Sequence, residues 1–304
     1  TMKKLKSLLM ACCAACVWLA ACSDDDYEPL PDWWWEQTGE PVVYPEPEPV
    51  DNKVVAHRGC YAETGFPQNS VAGLKKAVEM KLFASECDIH LTKDGKVVVY
   101  HDDYYLGNTC FKDATYAELC AKGTLANGEK LPLLEEFIDV ALHAGTTRLW
   151  LDVKRIEVGG ATSNTAESVK ACSRACEIIR EKKAQHFCEF IVSGNAAIWA
   201  GCYSAAQLAG IKVGWMSYSA PSAYKSYLDP WANLDYSNFF AGGAEVSNPK
   251  YPLQSYLDAG VALSVYNADT DPEMTYVLKY YPKMKAVCTN YPAKLLGRIG
   301  SEGL

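Results

Sequence analysis

Apolar segments alternate with polar ones along most of the chain, and the apolar segments follow two different periods. Short, nearly continuous apolar runs are typical of strands that are buried on both faces. Eight such runs occur, at 53–57, 83–90, 96–101, 148–154, 187–193, 211–217, 261–267 and 286–289. Between them the apolar positions recur every three or four residues, the helical period, most clearly at 69–80, 134–144 and 163–183. The pattern predicts a repeated strand–helix unit from residue 52 onward.

Two folds are built from such a repeat, a closed (β/α)8 barrel and an open doubly wound sheet. The stretch from 52 to 300 has the length of one barrel. Polar residues also cluster after several different strands, which is where barrel active sites lie. We therefore predict an α/β fold, a (β/α)8 TIM barrel over 52–304, with a short insertion at about 103–132. A ninth, weaker strand-like run at 238–246 leaves the register of the last three strands open.

The first 21 residues have the pattern of an export signal. Three lysines precede an apolar run of 14 residues at 8–21, which is short for a membrane span and typical of a signal peptide. The run ends in a tetrapeptide that resembles the bacterial lipobox and closes on Cys22. We expect 1–21 to be a lipoprotein signal peptide, with Cys22 lipidated and the protein exported to the outer membrane, on its periplasmic or cell-surface face. An ordinary signal peptide with an incidental cysteine is the alternative.

Residues 22–51 predict a tether, because prolines at this density favour an extended, semi-rigid spacer. The formal charge of the chain is −8, and removal of a signal that carries three lysines and no acids would leave −11. An acidic chain without a basic run is a poor candidate for binding nucleic acid. An anionic substrate would therefore need a local cation to hold it.

Thirteen cysteines are present, four of them in the signal and lipobox. The remaining nine include no Cys-x-x-Cys pair and no zinc-ligand spacing. We expect no zinc site, and the sequence assigns no disulfide.

Chemically capable residues stand at the ends of the predicted strands. His57 and Arg58 end the first strand. Glu86 and Asp88 are two residues apart on the second, so both side chains point to the same face. Two adjacent carboxylates repel each other unless a positive charge lies between them, and Ca²⁺ or Mg²⁺ prefers oxygen ligands.

The next two predicted strands end in the same way. His101 follows the third, and Asp152 and Lys154 close the fourth. Asp152 could complete a metal shell, and Lys154 could hold a phosphate oxygen. Taken singly, each pair has a simple structural reading, such as a solvated strand edge or a surface ion pair of little energetic worth. Together they predict a phosphoester-cleaving site built around one divalent cation.

From about residue 53 to 295 the chain resembles the glycerophosphodiester phosphodiesterase family. The resemblance rests on motifs that occur in the family's order and spacing. They are His57-Arg58-Gly59, Pro67-Gln68-Asn69-Ser70, Glu86-x-Asp88, 91–99, His101-Asp102, Leu151-Asp152-Val153-Lys154, Ser264-Val265-Tyr266-Asn267 and Thr289-Asn290-Tyr291-Pro292.

The resemblance implies a metal-dependent barrel enzyme that splits glycerophosphodiesters into an alcohol and glycerol 3-phosphate. It makes His57 and His101 the acid–base pair. The metal ligands would be Glu86, Asp88 and Asp152. Arg58 and Lys154 would neutralise the phosphate, and a cyclic phosphate would form and then be opened by water.

Three positions depart from the family pattern. Gln68 and Asp152 stand where the family has glutamate, and no tryptophan stands near Ser264. Asp152 has a side chain one methylene shorter than glutamate, and Gln68 removes a charge. Gln68, Trp215 and Tyr266 are the candidate residues for the pocket wall.

Two other functions fit the departures. One is a related barrel phospholipase that acts on intact lipid or a phosphoinositol headgroup. The other is a surface lipoprotein that binds phosphodiesters or glycans on a decayed barrel without cleaving them. The sequence leaves open the headgroup, the choice between Ca²⁺ and Mg²⁺, and the oligomeric state.

Overall fold

Eight parallel strands close into a barrel in the computed structural model, which describes residues 44–155, 165–193 and 195–304. Each strand pairs with the next along the chain, and β1 pairs with both β2 and β8. The strands are β1 Val54–Ala56, β2 Ala84–Leu91, β3 Arg148–Val153, β4 Cys188–Val192, β5 Lys212–Trp215, β6 Trp231–Asp235, β7 Ala262–Tyr266 and β8 Ala286–Thr289. The predicted TIM barrel is confirmed. The predicted signal peptide, Cys22 and residues 22–43 of the predicted tether lie outside the described residues.

Nine α-helices occur among the described residues. They are α1 Val71–Glu79, α2 Tyr116–Cys120, α3 Leu134–Ala144, α4 Thr165–Glu181, α5 Ala196–Ala209, α6 Pro221–Tyr224, α7 Leu253–Asp258, α8 Asp271–Leu278 and α9 Pro292–Glu302. Ser70 caps α1, because its side chain accepts a hydrogen bond from the Gly73 amide. Gly145 ends α3 in the left-handed conformation, where a glycine is favoured. Short 3₁₀ helices lie at Phe111–Asp113, Tyr236–Asn238 and Tyr281–Lys283.

Two strand predictions were wrong. The run at 96–101 is not the third barrel strand, because Val97–Val99 pairs antiparallel with the end of β2 and lies outside the barrel. The sixth barrel strand is β6, which the pattern missed. The weak run at 238–246 forms only a small hairpin of Phe240–Ala241 and Ala244–Glu245. Asp152 and Lys154 therefore lie at the end of the third barrel strand, not the fourth.

The barrel interior is filled by large side chains. Trp150 and Trp231 pack against each other in its centre, with ring centroids 4.7 Å apart. Smaller buried residues surround them, namely Val55, Ala84, Ile191, Ala286 and Cys288. Two larger apolar clusters lie outside the strands, between the sheet and the helices. The barrel is therefore a packed core, and only its ends are open to chemistry.

The insertion forms a small cluster of its own above the end of β2. It contains a hairpin of Tyr104–Tyr105 and Thr109–Cys110, followed by α2. Phe111, Leu119 and Leu131 are buried there against Val98. This packing holds the segment that carries His101 at the carboxyl end of the barrel.

The compact unit begins at Tyr44, so the last eight residues of the predicted tether lie against the barrel. The Glu48 amide donates to the Gly145 carbonyl, and Glu46 forms an ion pair with His186. The nine cysteines of the described residues are all free. Within those residues, every helix is too short or too polar to cross a bilayer.

Candidate active site

The carboxyl ends of β2 and β3 bring three carboxylates together. Asp88 and Asp152 are direct neighbours in the parallel pairing, and Glu86 lies two residues before Asp88 on the same face. One oxygen from each residue lies within 4.8 Å of the others. Glu86 and Asp88 are almost fully buried, and Asp152 is partly exposed. The predicted metal ligands therefore form one cluster.

Two cationic side chains contact this cluster. Lys154 Nζ lies 3.2 Å from Asp88 Oδ1 and 3.4 Å from Asp152 Oδ2. Arg58 Nε lies 3.6 Å from Asp88 Oδ2, and the Arg58 amide donates to Glu86 Oε2 over 2.8 Å. Arg58 adopts a left-handed backbone conformation (φ 54°), which aims this amide at the carboxylate. The guanidinium also donates to Gln68 Oε1 over 2.7 Å.

The three acids titrate differently because their partners differ. Burial, together with the charges of Asp88 and Asp152, raises the pKa of Glu86 well above its usual value. Burial also raises the pKa of Asp152, against the opposing charge of Lys154. Burial alone would raise the pKa of Asp88, but Lys154, Arg58 and the Asn69 amide outweigh it and lower the pKa. The cluster thus contains more negative charge than its side-chain partners stabilise.

The donor atoms suit a hard divalent cation. All three side chains offer carboxylate oxygens, which Ca²⁺ and Mg²⁺ prefer. Asp152 Oδ1 is buried and has no hydrogen-bond partner among the described residues. An unpartnered carboxylate oxygen beside two other acids fits a site for a hard divalent cation.

His57 lies between the carboxylates on one side and Asn290 on the other. Its Nδ1 contacts Asn290 Oδ1 over 2.8 Å, and its Nε2 lies 3.9 Å from Glu86 Oε2. Burial lowers the pKa of His57 to about 4, and the charge of Arg58 adds to the effect. The imidazole is therefore neutral near pH 7 in the metal-free protein.

His101 follows the short strand Val97–Val99, just before the insertion. Its Nδ1 contacts Asp102 Oδ1 over 2.7 Å, and about a third of its side chain is exposed. The ring lines a cavity of about 290 Å³ whose other walls include Gln68, Tyr100 and Leu125. His101 also lies close enough to influence the titration of both Asp88 and Asp152.

The three candidate wall residues have different surroundings. Gln68 lines the cavity beside His101, as noted above. Tyr266 packs with the interior cluster, and burial with the charges of Asp235 and Asp152 raises its pKa to about 12. Trp215 instead stacks on Trp199 at 5.1 Å and packs with the outer clusters. The ring contacts of Trp215 are thus with Trp199, Tyr224 and Tyr227.

Several polar residues of the site have no role assigned from the sequence, although Asn69 and Asn290 lie in the family motifs. Asn69 donates to Asp88 Oδ2 over 2.7 Å and accepts from the Asp88 amide. Asn290 contacts His57, and Asp269 contacts Asn290. Asp269 and Asn290 follow β7 and β8, so the rule that found the other candidates, polar residues just past a strand, would also have found these.

His90 lies next to the site, where it contacts residues of the insertion. It is fully buried, its ring stacks on Phe111 at 4.6 Å, and burial lowers its pKa to about 4. Its Nε2 lies 3.5 Å from the His101 carbonyl oxygen. The residue packs between the barrel and the insertion.

Solved structures share this fold. A glycerophosphodiester phosphodiesterase from Parabacteroides distasonis superposes with a TM-score of 0.67 at 23% identity, covering 83% of this chain and 98% of that one. A phosphodiesterase from Oleispira antarctica, solved with the product sn-glycerol-3-phosphate, superposes with a TM-score of 0.59 at 22% identity, covering 82% and 96%. At these identities the likeness establishes the fold.

Comparison of sequences finds relatives over parts of the chain. A glycerophosphodiester phosphodiesterase of Caldanaerobacter subterraneus is 34% identical over 97 residues, which are 29% of this chain and 39% of that relative. The matched part spans about two fifths of the length of the curated relatives. The model of the glycerophosphoryl diester phosphodiesterase family matches residues 57–294, most of the barrel. The chain therefore belongs to the glycerophosphoryl diester phosphodiesterase family.

Proposed function

We propose that the protein hydrolyses glycerophosphodiesters to an alcohol and glycerol 3-phosphate, with one divalent cation and two histidines. The observation that carries the proposal is the carboxylate cluster of Glu86, Asp88 and Asp152, flanked by two cations and by the His57 imidazole. His101 is close enough to influence the titration of Asp88 and Asp152. Family membership and the product bound to the Oleispira antarctica phosphodiesterase support the substrate class.

The charges of the site support a phosphodiester as substrate. Three carboxylates against Arg58 and Lys154 give a formal charge of −1 when both histidines are neutral. A bound divalent cation would bring this to +1 and would stabilise the charge that develops on the phosphoryl oxygens. Glu86, Asp88 and Asp152 would hold that cation. Arg58 and Lys154, which reach the same carboxylates, would contact the non-bridging phosphate oxygens.

The two imidazoles suit proton transfer because each has one nitrogen already occupied. Asn290 contacts Nδ1 of His57, and Asp102 contacts Nδ1 of His101, so both Nε2 atoms are left for the reaction. One imidazole would take the proton from the glycerol hydroxyl next to the phosphate as that oxygen attacks phosphorus. The other would protonate the departing alkoxide, and water would then open the cyclic phosphate.

The test is release of glycerol 3-phosphate from glycerophosphocholine and glycerophosphoethanolamine with Ca²⁺, Mg²⁺ or EDTA. We expect activity that EDTA abolishes and that His57→Ala or His101→Ala lowers by at least about 100-fold, the usual loss for a general acid or base. His143→Ala is the control, because that residue lies in the last turn of α3. Unchanged turnover in both active-site variants would refute the assignment. Substrate binding without turnover would favour the non-catalytic lipoprotein.

We also propose that the protein is an exported lipoprotein anchored in the outer membrane through Cys22. The apolar run at 8–21 and the lipobox-like tetrapeptide support this. Metabolic labelling with a palmitate analogue should mark the wild type and not Cys22→Ser. Equal labelling of both proteins, or recovery of the wild type only in the cytoplasm, would contradict the anchor.

A further inference from the structure

We propose that Asn290 and Asp269 are positioning residues that fix the ring orientation and the tautomer of His57. The inference rests on the proposed function for its kinetic consequences, but not for its structural content. Two hydrogen-bonding groups, the Asn290 amide and then the Asp269 carboxylate, lie in sequence behind the imidazole.

The contacts of Asp269 fix the orientation of the Asn290 amide. Asn290 Nδ2 donates to Asp269 Oδ2 over 2.6 Å, and the Asn290 backbone amide donates to Asp269 Oδ1 over 2.8 Å. Thr289 Oγ1 donates to the same Oδ1 over 3.0 Å. A carboxylate can only accept, so the NH₂ group of Asn290 must face Asp269. Its carbonyl oxygen must then face the other way.

That carbonyl oxygen determines which nitrogen of His57 carries a proton. Asn290 Oδ1 lies 2.8 Å from His57 Nδ1 and accepts a hydrogen bond from the Tyr61 hydroxyl over 2.7 Å. An amide oxygen offers only lone pairs, so Nδ1 must be the N–H of the ring. The proton that is gained or lost in a reaction is therefore on Nε2. Nε2 is the nitrogen that faces Glu86.

The barrel holds the three residues in register. The His57 amide donates to the Thr289 carbonyl, and the Ala268 amide donates to the Cys288 carbonyl. These backbone bonds join the ends of β1, β7 and β8, which are neighbours in the sheet. Side chains on rigid strand ends lose little further freedom when they orient an imidazole.

The use of a neutral amide next to His57 has an electrostatic reason. His101 has a carboxylate, Asp102, directly on its Nδ1, in a partly exposed setting. His57 stands next to the buried acid Glu86, and a carboxylate at its Nδ1 would add a fourth negative charge to that region. Asn290 provides the acceptor without the charge and keeps Asp269 one group further away.

The test combines nitrogen NMR with kinetics on the full-length chain loaded with Mg²⁺. The chain has five histidines, and with ¹⁵N-labelled histidine His57 is identified by the signal that His57→Gln removes. We expect a single tautomer in the wild type, with Nδ1 protonated. Asn290→Ala and Asp269→Asn should each give a mixture of tautomers and lower kcat by about 10- to 100-fold with KM changed less than about threefold.

Two further variants separate positioning from folding. Tyr61→Phe removes one bond to Asn290 Oδ1 and leaves the His57 bond, so its kcat should fall only about two- to threefold. Asn52→Ala removes an asparagine that bridges backbone groups at the other end of β1, so it should lower the melting temperature without changing kcat or the His57 tautomer.

Protonated Nε2 with unprotonated Nδ1 in the wild type would overturn the inference before any variant is made. A single unchanged tautomer with unchanged kcat in Asn290→Ala would overturn it as well. If the spectra change as expected but no variant and no wild type releases glycerol 3-phosphate, the positioning stands and the proposed function fails.

Discussion

The two ends of the barrel both bury charged groups, but they stabilise them to different degrees. At the amino end Glu189 Oε1 accepts from Lys285 and Oε2 accepts from the Trp150 indole over 2.8 Å. Lys285 also lies over the Trp231 ring, 4.4 Å from its centroid. At the carboxyl end three carboxylates share two cations, and Asp152 Oδ1 has no partner among the described residues.

This difference shows that buried charge alone does not mark a functional site. The Glu189–Lys285 pair closes the bottom of the barrel with every carboxylate oxygen bonded, which is a structural arrangement. The carboxyl end keeps an excess of negative charge that a metal-free protein does not stabilise. An incompletely stabilised cluster is the arrangement expected where a ligand supplies the missing charge.

Removal of one acid from each end should separate the two roles most clearly. Glu86→Gln should lower kcat/KM by about 1,000-fold, because a poorly held cation loses several kcal/mol of transition-state stabilisation. Glu189→Gln should change kcat/KM less than about threefold, because it lies at the opposite end. Initial rates of glycerol 3-phosphate release give both values. A comparable loss in the two variants would mean that the ends are not functionally distinct.

The free energy of unfolding should depend strongly on the charge pair at the amino end. Lys285→Met leaves Glu189 buried without its cation, and we expect a loss of about 3 kcal/mol in the free energy of unfolding. Lys212→Met is the matched control, because Lys212 is exposed at the same end and should change stability by less than about 0.5 kcal/mol. Urea unfolding monitored by circular dichroism provides the measurement. A loss no larger than the control would show that the pair contributes little.

The carboxyl end should become more stable when its charge is reduced. Gln in place of Glu86 can still accept from the Arg58 amide, and it relieves repulsion from Asp88 and Asp152. Metal-free Glu86→Gln should therefore be more stable than the metal-free wild type at pH 7, by about 1 kcal/mol. A divalent cation should stabilise the wild type and not this variant, since ligand binding stabilises only the form that binds it.

The stability difference between the wild type and Glu86→Gln should also depend on pH. The pKa of Glu86 is raised in the folded protein, so the fold binds this proton more tightly than the unfolded chain does. The melting temperature of the metal-free wild type should be closest to that of Glu86→Gln below pH 4.5, the ordinary pKa of a glutamate. Above that pH the melting temperature of the wild type should become lower than that of the variant. Melting temperatures from pH 4 to 8 test this, and a constant gap across the range would contradict it.

The sequence predicts the catalytic end of the barrel better than its strand order. The prediction that Glu86 and Asp88 point to the same face is confirmed, because side-chain direction alternates along a strand, which is a local property. Val97–Val99 resembles a barrel strand because the insertion and the helices bury it, although it pairs outside the barrel. Burial by a neighbouring segment cannot be read from a single apolar run.

The pattern misses β6 for the opposite reason, because this strand belongs to the barrel but contains polar residues. Asn233 faces the interior polar network, accepting from the Ser264 hydroxyl, which in turn accepts from the Trp231 indole. With Pro230 before it and Asn233 and Asp235 within it, the segment has little of the apolar run that marks a buried strand. The contact between Asn290 and His57 likewise joins residues 233 positions apart, so only the closed barrel brings them together.

The most direct test of the central claim is a single reconstitution measurement. The protein is stripped with EDTA, Ca²⁺ or Mg²⁺ is added back, and glycerol 3-phosphate release from glycerophosphoethanolamine is followed. The three-carboxylate site predicts no release after stripping and restored release with at least one of the two cations, in the wild type and not in Glu86→Gln. Full activity of the stripped protein would contradict the account.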